Sequence, residues 1–155
     1  AVLVGAAMKM GAIVAETSNE NANLIYNFGL NLGLAFQLQD DYLDAFGNPE
    51  TFGKQVGGDI IENKKTYLYL KAIEFTNEND KQQLLHLFSI QPSESNDKIE
   101  SVKAIFETSG ASEETKKEIQ NYTFKAFETL EKMTIDADKN AILKAFGENL
   151  MGRNV

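Results

Sequence analysis

The chain contains no cysteine, which excludes disulfides, thiolate metal sites and cysteine nucleophiles. Only two prolines interrupt it, so few positions oppose helix propagation. Its single histidine, His86 in LLHLF, reads as a core or boundary residue of an apolar helix rather than as a ligand. No uninterrupted apolar run reaches the roughly 18 residues of a membrane span, and no signal peptide is recognisable. The expected location is therefore cytoplasmic, with no stable membrane insertion. Positive charge is scarce as well: 15 basic against 23 acidic residues leave a formal charge of −8. That balance disfavours attachment to nucleic acid or to an anionic membrane. A phosphorylated ligand would need local basic groups or a bridging metal ion.

What is present points to an all-α protein. The 155 residues are 43% hydrophobic, enough to bury a core as one domain or as part of a larger one. Apolar residues recur with a period near 3.6, and no run reads as a strand. The pattern predicts a first helix from Val2 to Glu16 and a second from the TSNE segment to about Phe46, with Thr17 and Glu20 as its capping box. Glycine and proline between Gly47 and Asp59 predict a loop. Further helices are expected over Glu62–Phe75, Asp80–Ser89 (capped by Asn77 or Asn79), Ile99 to about Gly110, Glu113–Met133 and Asp136–Met151. Phe124, Phe127, Leu130 and Met133 repeat at helical spacing and are expected in the core. The opening AVLVGAAMKMGAIVAE lacks both an initiating Met and a capping residue, so the chain reads as starting inside a helix. Truncation is the expected cause, natural processing the alternative.

The segment FQLQDDYLD, Phe36 to Asp44, departs from this apolar pattern. At about 100° per residue, Gln37, Asp40, Asp41 and Asp44 form one polar stripe at i, i+3, i+4 and i+7. Neighbouring carboxylates repel one another and stay ionised only if water, basic groups or a metal ion neutralises them. Magnesium suits such a stripe, because it prefers oxygen ligands and joins one or two carboxylates to substrate phosphates. Gly29 and Gly33 lie on the same side two turns upstream, where they leave room either for a ligand or for a closely packed helix. A calcium loop of the EF-hand kind is excluded, since Tyr42 holds its third position.

Past this helix, GKQVGGD carries Lys54 on flexible backbone toward Asp59, and ENKKT supplies Lys64 and Lys65. Lys54 alone reads as a solvated loop lysine. Taken with the aspartates and Lys64, it reads as part of a site for a metal-bound diphosphate, lysine being a common phosphate-binding point charge. The loop is not a P-loop, because G-x-x-x-x-G-K-[ST] is absent.

FQLQDDYLD followed by GNPETFGKQVGGDIIENKKT resembles the second aspartate-rich region of the trans-isoprenyl diphosphate synthases, the family of farnesyl and geranylgeranyl diphosphate synthases. The likeness is strong over residues 1 to about 75. It implies an all-α isoprenoid synthase fold, antiparallel helices around a central cavity, of which this chain is the carboxy-terminal part. It implies further that Asp40, Asp41 and Asp44 bind Mg2+, that Lys54 and Lys64 contact an allylic diphosphate, that Phe36 and Gln37 line the site, and that Asp59 supports the network. The implied reaction condenses the allylic diphosphate head to tail with isopentenyl diphosphate, in an enzyme that is a homodimer when intact. Arg153 is either a basic tail over the diphosphate or a frayed end.

The family's other aspartate-rich motif has no counterpart here, since DAD at Asp136–Asp138 lacks the spacing. The chain alone is thus expected to be inactive and to expose the apolar side of its first helix. A non-catalytic subunit of a synthase and a terpene cyclase-like ionising enzyme are the alternatives.

Overall fold

The computed structural model describes residues 1–48 and 56–152. They form eight helices and no strand: α1 (Val2–Val14), α2 (Asn19–Phe46), α3 (Gly58–Ile61), α4 (Tyr67–Phe75), α5 (Glu78–Leu87), α6 (Asn96–Thr108), α7 (Ala111–Glu131) and α8 (Ala137–Met151). The all-α expectation holds. Among the described residues, no helix is long and apolar enough to cross a membrane. The described residues divide into two compact units, 1–37 with 118–152, and 38–48 with 56–117.

In the first unit, Ile25, Phe28 and Leu32 of α2 pack on Ala126 and Leu130 of α7. The α1–α2 contact is set by glycines. A Cβ on Gly29 would lie 3.0 Å from the Gly5 Cα, and one on Gly33 would lie 2.8 Å from the Ala1 Cα. The two glycines flagged in the sequence therefore serve helix packing, and α1 occupies the space in which a ligand was the other option. The opposite side of α1 is apolar and open to solvent at Val2, Leu3, Met10, Ile13 and Val14. Glu16 ends the helix in a left-handed conformation, φ 54°, so that the Thr17 N–H reaches the Ala12 carbonyl in the manner of a Schellman motif.

Several local expectations are corrected. Ser18, not Thr17, caps α2, its Oγ accepting the Asn21 N–H at 3.2 Å. Phe124 is 68% exposed, because its turn of α7 faces solvent while Phe127, Leu130 and Met133 pack on or in the core. His86 is also exposed, in the last turn of α5.

The second unit is organised by α6, which packs against α3, α4 and α5 through Ile99, Val102, Ile105 and Phe106. Asn77 caps α5, accepting the Asp80 N–H at 3.1 Å, as one of the two candidates required. The helix expected from Glu62 begins only at Tyr67. The intervening residues contain a second left-handed non-glycine, Asn63 at φ 57°, which an α-helix cannot accommodate. Gly58 and Asp59, expected in a loop, start the short α3.

Candidate active site

The three aspartates of the stripe stand on the last turns of α2, which belong to the second unit. Gln39, Tyr42, Leu43 and Ala45 are buried on the inner side, which leaves Asp40, Asp41 and Asp44 half-buried at the margin. Asp44 is tied down on both its side chain and its backbone. Its Oδ2 accepts the Asp59 N–H at 2.9 Å, and its carbonyl accepts the Gly57 N–H at 2.6 Å. Gly57 offers α3 no side-chain cap. The Asp44 carboxylate fills that role from a distant point in the sequence, with the favourable charge for a helix start.

Lys64 answers the carboxylates from the segment after α3. Its Nζ donates to Asp59 Oδ1 at 2.9 Å and Oδ2 at 3.1 Å and lies 3.8 Å from Asp41 Oδ1. The side chain remains 56% exposed, so an incoming anion can reach the ammonium. The hydrogen bond to Asp59 is the main reason its pKa is raised above the ordinary lysine value.

Negative charge nevertheless exceeds positive. Burial pushes the Asp41 pKa from 3.8 up to about 6, with Lys64 opposing the shift and Asp59, Asp40 and Asp44 adding to it. Burial likewise raises Asp44, partly countered by the Asp59 amide. Such a group costs stability when ionised. Between pH 3.8 and about 6 the folded chain holds more protons than the unfolded one, so Asp41 makes stability fall as pH rises through that window. The shift corresponds to about 3 kcal/mol. A side chain still 25% exposed should deliver about half of that after solvent screening. Asp41→Asn is therefore expected to raise stability at pH 7 by about 1–2 kcal/mol, with the gain vanishing toward pH 4. Urea unfolding at both pH values checks this, and destabilisation at pH 7 would contradict it.

The donor set also bears on the implied ion. Among the described residues, no three acidic or histidine side chains form a ready-made metal cage. Magnesium needs none, since it usually keeps several waters and takes one or two carboxylates together with phosphate oxygens. Hard, incompletely neutralised carboxylates at a half-exposed edge fit that habit. Of the other residues flagged in the sequence, Phe36 is half-buried and Gln37 exposed, the latter accepting from the Ala1 nitrogen at 3.1 Å. Both fall in the first unit. Lys65 is exposed. Lys54 and Arg153 lie outside the described residues.

One element went unnoticed in the sequence. Lys98 is only 3% exposed, and its Nζ donates to Asn63 Oδ1 at 2.6 Å and to the Ile90 carbonyl at 2.9 Å. Its spacing to Val102 and Ile105, i+4 and i+7, was the available signal, because it puts a lysine on the apolar stripe of α6.

An all-α scaffold whose long helix carries partly buried aspartates, answered by an exposed lysine, defines a class of site suited to a cation and a polyanion together. The polyprenyl synthetase family model matches residues 1–106, and the chain belongs to that family. It is 40% identical over 113 residues to a short chain isoprenyl diphosphate synthase of Methanothermobacter thermautotrophicus, across 73% of this chain and 34% of the relative. Its fold matches a crystal structure of a geranylgeranyl pyrophosphate synthase at a TM-score of 0.88 and 50% identity, covering 99% of this chain and 48% of that one. A geranylgeranyl pyrophosphate synthase of Corynebacterium glutamicum, solved with isoprenyl diphosphate and magnesium, matches at 0.80 and 27% identity over 94% of this chain and 41% of its own. The chain thus spans at most about half the length of these relatives.

Proposed function

We propose that this chain supplies one carboxylate wall and a diphosphate-binding lysine to a magnesium-dependent prenyltransferase that joins an allylic diphosphate to isopentenyl diphosphate. The observation that carries the reading is the Lys64 ammonium, exposed yet anchored on Asp59 beside Asp41, within a surplus of carboxylate charge. A similar protein solved with isoprenyl diphosphate and magnesium supports the same pairing of ligands.

In this reading Asp40, Asp41 and Asp44 would hold the ion, with Asp44 also accepting the Asp59 N–H. Bound magnesium would neutralise the diphosphate and so favour its departure from the allylic carbon. Lys64 meets the non-bridging oxygens of the same leaving group, stabilising charge that grows as the C–O bond breaks. Asp59 holds the lysine chain in place before substrate arrives, which lowers the ordering cost of binding. Lys54 is assigned to the same diphosphate on the strength of the Gly-Lys motif.

The test is to supply the chain with magnesium, labelled isopentenyl diphosphate and an allylic diphosphate, first by itself and then grafted in place of the matched portion of the synthase with which it shares 50% identity. Because this sequence holds a single DDxxD motif, turnover is expected only in the graft. Turnover by the chain alone would overturn the need for a second carboxylate wall, and an inactive, folded graft would overturn the assignment itself. Within the active graft, removing one charge-assisted phosphate contact costs about 1.5–3 kcal/mol. Lys64→Ala should therefore raise KM for the allylic substrate by roughly ten- to a hundredfold, and Lys65→Ala should change it little. The reverse order would shift the assignment by one residue.

A further inference from the structure

Lys98 lies in the first turn of α6, where a cation opposes the helix dipole. It is almost wholly buried, and burial alone lowers its pKa below the ordinary lysine value. Its partners among the described residues are neutral: Asn63 Oδ1, the Ile90 carbonyl and the face of Phe88, whose centroid is 5.9 Å from Nζ. With only neutral partners among the described residues, a buried ammonium is a poor stabiliser, and an apolar residue of similar shape is often neutral or better. The arrangement makes sense for what it fixes. Asn63 Nδ2 also donates to the Ile90 carbonyl at 3.3 Å, so Asn63, Ile90 and Lys98 close a three-cornered set of hydrogen bonds. Asn63 is the left-handed residue immediately before Lys64, and the Lys64 N–H donates to the Asp59 carbonyl at 2.9 Å. Next to Lys98, Ile99 covers the other end of α3: a Cβ on Gly57 would lie 2.9 Å from its Cδ1. The first turn of α6 thus grips the residues on both sides of the helix that carries Asp59.

We propose that Lys98 is a positioning residue for the anion site, its buried ammonium locking the Asn63 turn and thereby setting where the Lys64 side chain begins. Lys98 acts through Asn63 and does not touch the anion. The inference rests on the reading of Lys64 as a diphosphate ligand, but its structural half stands apart from that reading. Neither Asp59 nor Lys64 hydrogen-bonds to Lys98, and the Asn63→Gly variant separates a route through the Asn63 turn from one through Ile99 and Gly57.

The test uses the isotopically labelled chain with two variants. Lys98→Met keeps the aliphatic stem and removes the donors. Asn63→Gly keeps the left-handed backbone without strain and removes the acceptor. Amide exchange is read at Asp59 and Lys64 against the α1 and α8 amides, urea unfolding reports stability, and titration with inorganic diphosphate plus magnesium reads the affinity. Each variant should speed exchange at Lys64 about tenfold, weaken diphosphate binding about tenfold and leave α1 and α8 unchanged, while the double variant adds nothing further. Should Lys98→Met fail to fold, Asn63→Gly alone decides. Exchange and affinity both within twofold of the parent chain would overturn the proposal, as would a loss of urea stability with diphosphate affinity intact. If the parent chain itself binds no diphosphate, the reading of Lys64 fails, and local exchange at Lys64 still decides whether Lys98 holds the turn.

Discussion

Alanine at Asp40 or Asp41 should lower kcat for prenyl transfer by about 10²–10³, measured at saturating magnesium in the grafted synthase. Each carboxylate is assigned to an ion that offsets charge growing on the leaving diphosphate, so its loss acts on the transition state more than on substrate binding. Stability separates this effect from unfolding. Asp41 is raised in pKa chiefly by burial, and removing it should leave the fold as stable as before or more so. Asp44 behaves differently, because its Oδ2 holds the Asp59 N–H. Asp44→Ala should lose activity and about 1–2 kcal/mol of stability together, whereas Asp40→Ala should lose the larger share of activity. A near-normal kcat in Asp40→Ala would remove the ion from the stripe.

The second large effect concerns Gly57 and has a built-in control. Gly57 and Gly110 adopt nearly the same left-handed backbone, φ 86° and 84°, but only Gly57 is crowded. A Cβ there would lie 2.9–3.0 Å from three carbons of the Ile99 side chain, while one on Gly110 would meet nothing within 4 Å. Ile99 is itself buried against the core and has little room to yield. Alanine at Gly110 should cost about 1–2 kcal/mol for the left-handed conformation. At Gly57 a further cost of about 1–3 kcal/mol for overpacking adds to it. Urea unfolding of the two variants gives the difference directly. Gly57→Ala should also weaken magnesium-diphosphate binding, since the Gly57 N–H to Asp44 carbonyl bond joins α2 to the element bearing Asp59. Equal destabilisation at the two sites would show that Ile99 moves freely and that α6 does not hold α3.

The helical class, the family and the side of α2 on which Asp40, Asp41 and Asp44 stand were legible in the order of residues alone. These are local properties: a period of 3.6 decides which residues share a face, and a motif of fixed spacing survives being read in one dimension. The same information limited the reading of Gly29 and Gly33, whose spacing was compatible with a ligand or with a helix until α1 was seen covering them. It also placed Phe124 with the core residues three positions apart, because periodicity marks a stripe but not the width of the surface that covers it. The folded chain was needed to show that Asp44 caps α3, that Lys64 rests on Asp59 and that Lys98 reaches Asn63 across 35 positions of sequence. The first and last of these join separate helices or turns whose meeting depends on where the chain returns, and the second depends on the left-handed Asn63 between its partners. Hydrogen bonds of a few ångströms depend on that return path, and no spacing within a single helix records it.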